Sequence, residues 1–182
     1  MITPYHYQED CLRCLHSHRA SGERRALVVM ATGLGKTVTV AFDVLRYLKE
    51  GKAKILYLCH MTDILYQARS EFEAIVGHDK KFGFFHGKKK NLKEVDCLFS
   101  SFDTMSNWLD LFDPTEFNYI VVDESHHSHA ETYLRVIQYF RPKFLLGITA
   151  TPHRMDKRNI CSIYGNPIFN LPLEEALGKG YL

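Results

Sequence analysis

The chain has 182 residues, a length typical of one compact domain. Hydrophobic residues make up 46% and charged residues 24%, a composition that excludes a disordered tail. The formal net charge of +2 neither requires nor excludes a nucleic-acid partner, because a local basic stripe can bind phosphates without a basic total. No apolar run reaches the roughly 18 residues of a membrane span, and the amino terminus lacks the pattern of a signal peptide. The 5 scattered cysteines are typical of a reducing compartment, so we expect a cytoplasmic protein with no membrane partner.

Hydrophobic periodicity predicts helices and strands that alternate along the chain. Helical patterns cover residues 4–20, 36–50, 61–76, 102–112 and 128–140. Short apolar runs predict strands at 26–31, 54–59, 82–85, 95–99, 119–123 and 144–149. Such alternation is typical of βαβ units. We therefore predict an α/β fold over residues 1–182, with a mostly parallel sheet covered by helices on both faces.

A glycine-rich segment joins the first predicted strand to the following helix. Glycines allow backbone N–H groups to approach a triphosphate closely, and the helix dipole favours anions at this end. Lys36 is placed to reach the β- and γ-phosphates of ATP, and the Thr37 hydroxyl is placed to bind Mg²⁺. Met30 stands where the general pattern has glycine, but the strand before the segment and the helix after it meet the structural condition for the motif. The predicted phosphate-binding residues are Thr32, Gly33, Leu34, Gly35, Lys36 and Thr37.

Two carboxylates follow an apolar strand later in the chain. Residues 119–122 are hydrophobic and lead directly into Asp123 and Glu124. Asp123 is suited to hold Mg²⁺ through water, because this hard cation keeps most of its waters. Glu124 is suited to act as the general base for an attacking water. Ligands of such sheets sit outside the carboxyl ends of the strands, so we predict that this pair lies beside the phosphate loop. Two solvated acids at a strand end are the other interpretation of this segment alone.

Three motifs together resemble a known family. ATGLGKT (residues 31–37), DESH (123–126) and TATP (149–152) are similar to motifs I, II and III of superfamily 2 helicases of the DExH type. Their order and spacing resemble the first RecA-like lobe of these proteins. The resemblance implies a RecA-like P-loop NTPase fold, ATP and Mg²⁺ as cofactors, and a nucleic-acid partner.

The resemblance also assigns roles to residues outside the phosphate loop. It implies that Thr149 and Thr151 couple the nucleotide site to nucleic acid and that His126 joins the acidic box to these two residues. Taken alone, TATP also fits a turn after a buried strand. Gln8 resembles the glutamine that reads adenine in this family. Tyr5 stands where the restriction and repair branch usually has an arginine, so adenine preference stays open.

Weaker similarities point to contacts with nucleic acid. The segment that contains Gln67 resembles motif Ia, and SSFDTM (residues 100–105) resembles the next motif that contacts the nucleic-acid backbone. The resemblance implies contacts from Gln67, Ser100 and Thr104. Residues 85–87 and the closing segment 171–182 resemble the type I and III restriction-enzyme and excision-repair branch, which favours DNA over RNA.

No match to the second RecA-like lobe, with its arginine finger, occurs in these residues. In phosphoryl transfer an arginine finger accounts for about 10³–10⁵ in rate. We therefore expect one ATP-binding lobe that belongs to a longer protein and that hydrolyses ATP very weakly on its own. Phe84, Phe85 and Trp108 are expected to lie in the core.

Two other functions remain open. The first is a nucleotide-gated binding module, in which ATP switches the conformation and a partner supplies the activity. The second is a metal-dependent hydrolase built on the histidines within residues 126–129, although these lack the i, i+4 spacing of helical metal ligands. A zinc site at Cys11 and Cys14 would lack the second ligand pair.

Overall fold

The computed structural model describes residues 2–87, 89–90, 92, 94–124, 131–150 and 157–182. The helices are α1 His6–Ala20, α2 Lys36–Lys49, α3 Thr62–Val76, α4 Phe102–Asn107, α5 Glu131–Tyr139, α6 Lys157–Tyr164 and α7 Leu173–Gly178. The strands are β1 Arg25–Met30, β2 Ile55–Cys59, β3 Phe82–His86, β4 Lys89–Lys90, β5 Cys97–Ser101, β6 Tyr119–Asp123, β7 Phe144–Thr149 and β8 Pro167–Leu171.

All of these strands form one 8-stranded sheet with the order β4-β3-β5-β2-β6-β7-β1-β8. Neighbouring strands are parallel except for the antiparallel pair of β3 and β4 at one edge. The predicted mostly parallel sheet is therefore confirmed. Because the central strands are parallel, their carboxyl ends lie at one edge, and β6 is separated from β1 only by β7.

Helices cover both faces of the sheet, so the fold has the three predicted layers. Side chains of a strand alternate between the two faces: Tyr119 and Val121 join a core with α1, α2 and α3, whereas Ile120 and Val122 join a core with α4, α5 and α6. Strands buried on both faces read as continuous apolar runs, which is why the central strands could be recognised in the sequence.

A buried ion pair fixes the position of α1 and α2 against the sheet. Arg19 donates two hydrogen bonds to Asp43, at 2.6 and 2.7 Å, and Tyr119 donates a third at 2.8 Å. The Asp43 side chain is fully buried. The Arg19 guanidinium also stacks 4.9 Å from the ring centre of Phe144. A planar guanidinium matches a carboxylate in this bidentate geometry, so the pair orients the helices that carry the phosphate loop.

The structure differs from the predicted elements at the edges of the sheet and in one helix. Edge strands β4 and β8 and helices α6 and α7 were not predicted. The helix expected over 102–112 ends at Asn107, and a separate 3-10 turn, Leu109–Leu111, follows it. Trp108 lies at this break and is 45% exposed, so its predicted place in the core was wrong. Phe84 and Phe85 are buried, as predicted.

Candidate functional site

The glycine-rich loop turns from β1 into α2 through two left-handed residues. Gly33 has φ +92°, and Gly35, which precedes the first residue of α2, has φ +70°. A β-carbon on Gly33 would lie 2.9 Å from the Leu182 side chain, and one on Gly35 would lie 2.8 Å from Gln8 Nε2. The positive φ at both positions favours glycine, and a β-carbon at Gly35 would also displace the buried Gln8 side chain. The turn leaves the N-terminal N–H groups of α2 available for an anion.

Two side chains of α1 donate hydrogen bonds to this loop and hold it against the helix, so that α1 acts as a brace. Gln8 Nε2 donates to the carbonyl oxygens of Leu34 and Gly35 at 3.2 and 3.3 Å, and the Tyr7 hydroxyl donates to Leu34 at 3.3 Å. Gln8 Oε1 accepts from the Tyr5 backbone N–H at 2.9 Å. Gln8 is only 2% exposed, because these hydrogen bonds hold its side chain against the loop. Its role in reading adenine stays a prediction.

The acidic pair lies at the same edge of the sheet as the loop. Asp123 is the last residue of β6, and Lys36 Nζ lies 4.0 Å from Glu124 Oε1. The Lys36 side chain is 12% exposed and that of Glu124 is 27% exposed. The two motifs that the sequence predicted to meet are thus brought together, with the ammonium and the carboxylate at ion-pair distance.

Glu124 has an uncommon backbone conformation. Its φ of 53° lies in the left-handed region, which typically costs a non-glycine residue about 1–3 kcal/mol and is concentrated at functional sites. The turn allows the Glu124 N–H to donate to Asp123 Oδ1 at 2.9 Å. The two neighbouring carboxylates therefore face different partners, Tyr57 for Asp123 and Lys36 for Glu124.

Asp123 is buried, and each of its carboxylate oxygens accepts a hydrogen bond. It is 4% exposed, and its Oδ2 accepts from the Tyr57 hydroxyl at 2.5 Å. Burial raises the pKa of Asp123 above its usual value, with an opposing effect from the Tyr57 hydrogen bond, a further rise from the Glu124 charge and a decrease from Lys36. A divalent cation would compensate for this buried charge. The hard oxygen donors of Asp123 and of half-buried Thr37 fit Mg²⁺.

Other predicted residues occupy different surroundings. Thr149 is fully buried at the end of β7, where it pairs with Val29 of β1, one strand away from Asp123. His126 and Thr151 lie outside the described residues, and so does the histidine segment 126–129.

The alternative metal sites find no support among the described residues. Cys11 of α1 is buried in the core, and burial raises the pKa of its thiol. Within the ranges that the structure describes, no three histidine, cysteine, aspartate or glutamate side chains form a metal-binding group.

The predicted nucleic-acid contacts fall near the carboxyl ends of β3 and β5. Gln67 is exposed on α3 and donates to Glu71 at 2.9 Å. Thr104 is half-buried, and its hydroxyl oxygen accepts from the Gly87 N–H at 3.3 Å. The prediction of a Ser100 contact needs correction, because Ser100 is fully buried and its hydroxyl donates to the Phe85 carbonyl at 2.7 Å.

Tyr57 belongs to the site and was missed by sequence reasoning. It lies in the middle of β2, an apolar strand, where a tyrosine reads simply as a core residue. Burial raises the pKa of Tyr57 well above its usual value, so the hydroxyl keeps its proton. Only the pairing of β2 with β6 brings this hydroxyl to Asp123.

This combination defines a class of protein. A parallel sheet with a glycine-rich loop between β1 and α2, and an acidic pair at the end of β6, is the arrangement of a P-loop NTPase of RecA-like architecture. Within the described ranges no helix is long and apolar enough to cross a membrane.

Comparison with known proteins gives the family. The model of the family described as "Type III restriction enzyme, res subunit" matches residues 1–154. The chain belongs to this family and is a superfamily 2 helicase-type lobe, as its motifs predicted.

Individual relatives agree with this assignment. The putative ATP-dependent helicase IRC3 of Saccharomyces cerevisiae is 30% identical over 97% of the chain and 27% of its own length. A fragment of a putative HsdR subunit of a type I restriction enzyme from Vibrio vulnificus is 26% identical, with a TM-score of 0.75 over 97% of this chain and 32% of that one. The SWI2/SNF2 ATPase core of Sulfolobus solfataricus, solved with double-stranded DNA, shares the fold, with a TM-score of 0.76, 20% identity and coverage of 91% and 36%. The chain thus spans roughly a third or less of the yeast and Vibrio relatives.

Proposed function

We propose that the chain binds ATP with Mg²⁺ and serves as the first motor lobe of a DNA-dependent helicase or translocase. The observation that carries this proposal is the position of Lys36, whose Nζ lies 4.0 Å from Glu124 Oε1 at the edge where α2 begins. A lysine from the phosphate loop and a carboxylate from the acidic box are the complementary parts of one phosphoryl-transfer site.

Each residue has a role that follows from its surroundings. The N–H groups of residues 33–36 and the Lys36 ammonium hold the phosphate oxygens. Thr37 and Asp123 would hold Mg²⁺, the latter through water, and the cation would supply neutralisation of phosphate charge. Glu124 accepts a proton from water as the water oxygen bonds to the γ-phosphorus and the bond to the bridging oxygen breaks. Buried Asp123, braced by Tyr57, stays fixed while this occurs.

The choice of DNA rests on the relatives. The restriction-enzyme names of the family and of a relative favour DNA over RNA by analogy. Gln67 and Thr104 remain the proposed contacts, with Thr149 and Thr151 as the coupling residues. His126 is proposed to link the acidic box to that pair.

The proposal includes a second RecA-like lobe that supplies the arginine finger. All described strands of residues 1–182 belong to one sheet, which corresponds to one lobe. Without the finger, hydrolysis should be slower by about 10³–10⁵, so we expect ATP binding with very weak turnover and no duplex unwinding by this chain alone. Vigorous DNA-stimulated hydrolysis by the 182-residue chain would contradict this part of the proposal.

The central test is a titration of labelled ATP and Mg²⁺ against the wild type and Lys36→Ala. Loss of the ammonium should weaken binding strongly, because the phosphate oxygens then lose the positive charge that faces Glu124 across the site. Lys52→Ala is the matched control, since Lys52 is exposed just before β2, at the amino-terminal edge of the sheet. Equal affinity in wild type and Lys36→Ala would count decisively against the assignment.

A further inference from the structure

A tyrosine hydroxyl is hydrogen-bonded to one of the two residues proposed to hold the metal. Tyr57 is 1% exposed in the middle of the sheet. Its ring packs edge-on against Phe72 of α3 at 5.5 Å and, in a tilted arrangement, against Phe99 of β5 at 5.4 Å. These contacts fix the ring, so the hydroxyl has a defined position near the carboxyl end of β6.

The hydroxyl is hydrogen-bonded to the carboxylate at the end of β6. It donates its proton to Asp123 Oδ2 at 2.5 Å. A phenol has one proton, so this bond commits the Tyr57 donor to Asp123.

The same hydroxyl fixes the rotation of the Asp123 carboxylate. Oδ2 accepts from Tyr57, and Oδ1 accepts from the Glu124 N–H at 2.9 Å. With both oxygens held, the carboxylate cannot rotate without the loss of a buried hydrogen bond. Asp123 ends β6 and Tyr57 lies in β2, so the hydroxyl connects two neighbouring strands.

We infer that Tyr57 is a positioning residue of the Mg²⁺ site, which orders Asp123 through its hydroxyl before the nucleotide binds. The inference rests on the proposed function and adds a residue to it. Groups that orient metal ligands typically change metal affinity by about 10–100-fold when they are removed. A tyrosine that serves only the core would affect stability and leave the dependence on Mg²⁺ unchanged.

The test is the Mg²⁺ dependence of nucleotide binding in Tyr57→Phe. This variant keeps the ring and its packing and removes only the hydroxyl. Binding of fluorescent ATP is titrated with Mg²⁺, and again in EDTA. We expect the Mg²⁺ midpoint to rise by about tenfold or more while the affinity in EDTA stays within about twofold of wild type.

Tyr119→Phe is the matched control. Tyr119 is another fully buried tyrosine on a central strand, and its hydroxyl donates to a buried carboxylate, Asp43, at 2.8 Å. Its Mg²⁺ midpoint should equal that of wild type, although its stability should fall. An unchanged midpoint in Tyr57→Phe would overturn the inference and leave the proposed function intact, whereas a wild type that binds no nucleotide would overturn both.

A second measurement keeps the hydroxyl in place and does not depend on the folding of the variant. 3-Fluorotyrosine is introduced at position 57 and, in a separate sample, at position 119. Addition of Mg²⁺ to the ADP-bound protein should move the ¹⁹F resonance at position 57 and leave that at position 119 unchanged. A resonance at position 57 that does not respond to Mg²⁺ would overturn the inference.

Discussion

Lys36 Nζ lies 4.0 Å from Glu124 Oε1, although the two residues come from opposite halves of the chain. Lys36 begins α2, and Glu124 follows β6, two strands away from β1 in the sheet. The distance is longer than a hydrogen bond, so the two charges attract each other without a direct hydrogen bond. Lys36 and Glu124 have different proposed roles, in ATP binding and in hydrolysis. Mutation of each residue should therefore change a different one of these two properties.

Glu124→Gln should abolish hydrolysis and preserve ATP binding. The amide keeps the shape of the side chain but cannot accept a proton from water, and general-base catalysis contributes about 10²–10⁴ in rate. We expect single-turnover hydrolysis to fall by about that factor, with ATP affinity within a few-fold of wild type. The matched control is Glu23→Gln at an exposed turn before β1. If the Glu124→Gln variant turns over ATP as fast as wild type, the chain is a nucleotide-gated module or uses another base.

Gly35→Ala should impair both folding and nucleotide binding. The new β-carbon would meet Gln8 Nε2 at 2.8 Å, in a residue whose φ is +70°. Alanine at such a positive φ destabilises by more than about 1 kcal/mol, and displacement of Gln8 releases the brace on the loop. Chemical denaturation and ATP titration measure the two effects. Gly51→Ala is the control, because nothing lies within 4 Å of its β-carbon and its φ is not positive. Equal behaviour of the two variants would contradict this account of the loop.

Arg19→Ala should be strongly destabilising. The change leaves the fully buried Asp43 carboxylate without its cation, and breaking a buried pair in this way typically costs about 3–5 kcal/mol. Urea denaturation gives the free energy of unfolding. Arg13→Ala removes an exposed arginine that pairs with Asp10 on the same helix and should cost less than about 1 kcal/mol. A similar cost for both variants would show that the buried pair does not anchor α1 to α2.

Asp123→Asn should stabilise the nucleotide-free chain in EDTA while it weakens Mg²⁺ binding. Burial raises the pKa of Asp123 in the folded protein. The contribution of Asp123 to folding stability is therefore complete below the unfolded pKa of about 3.9, and it is lost as pH rises through the folded pKa. The advantage of asparagine should therefore grow with pH over that interval and level off above it. Denaturation at a series of pH values measures this advantage. If the stability gained from Asp123→Asn declines as pH rises, the pKa of Asp123 is not raised in the folded protein.

Asp113→Asn provides the opposite sign as a control. The Thr115 side chain and backbone N–H donate to Asp113 and lower its pKa. The stability that its charged form contributes is present above the unfolded pKa and is lost as pH falls through the folded one. Asp113→Asn should therefore not increase the free energy of unfolding at neutral pH.

Most of the fold could be predicted because the central strands are buried on both faces. Strands such as β2, β6 and β7 consist of continuous apolar runs between turns, and this pattern is legible in one sequence. Edge strand β8 is only partly buried and lacks such a run, which explains why it was missed. Trp108 was misplaced because the helical period gave no sign that α4 ends at Asn107.

The sequence by itself determined the parts of the site that lie in local motifs: the glycines and Lys36 of a strand-to-helix turn, and the carboxylates that end an apolar strand. The spacing of residues within each motif is enough to indicate its chemistry. This is because the backbone conformation of each motif depends on only a few neighbouring residues. Tertiary structure alone decided which distant side chains support them. The docking of α1 turns Gln8 into a brace, the register of β5 buries Ser100, and the pairing of β2 with β6 brings the Tyr57 hydroxyl to Asp123. Hydrogen bonds act over about 3 Å, so such partners depend on strand order and register, which no local pattern encodes.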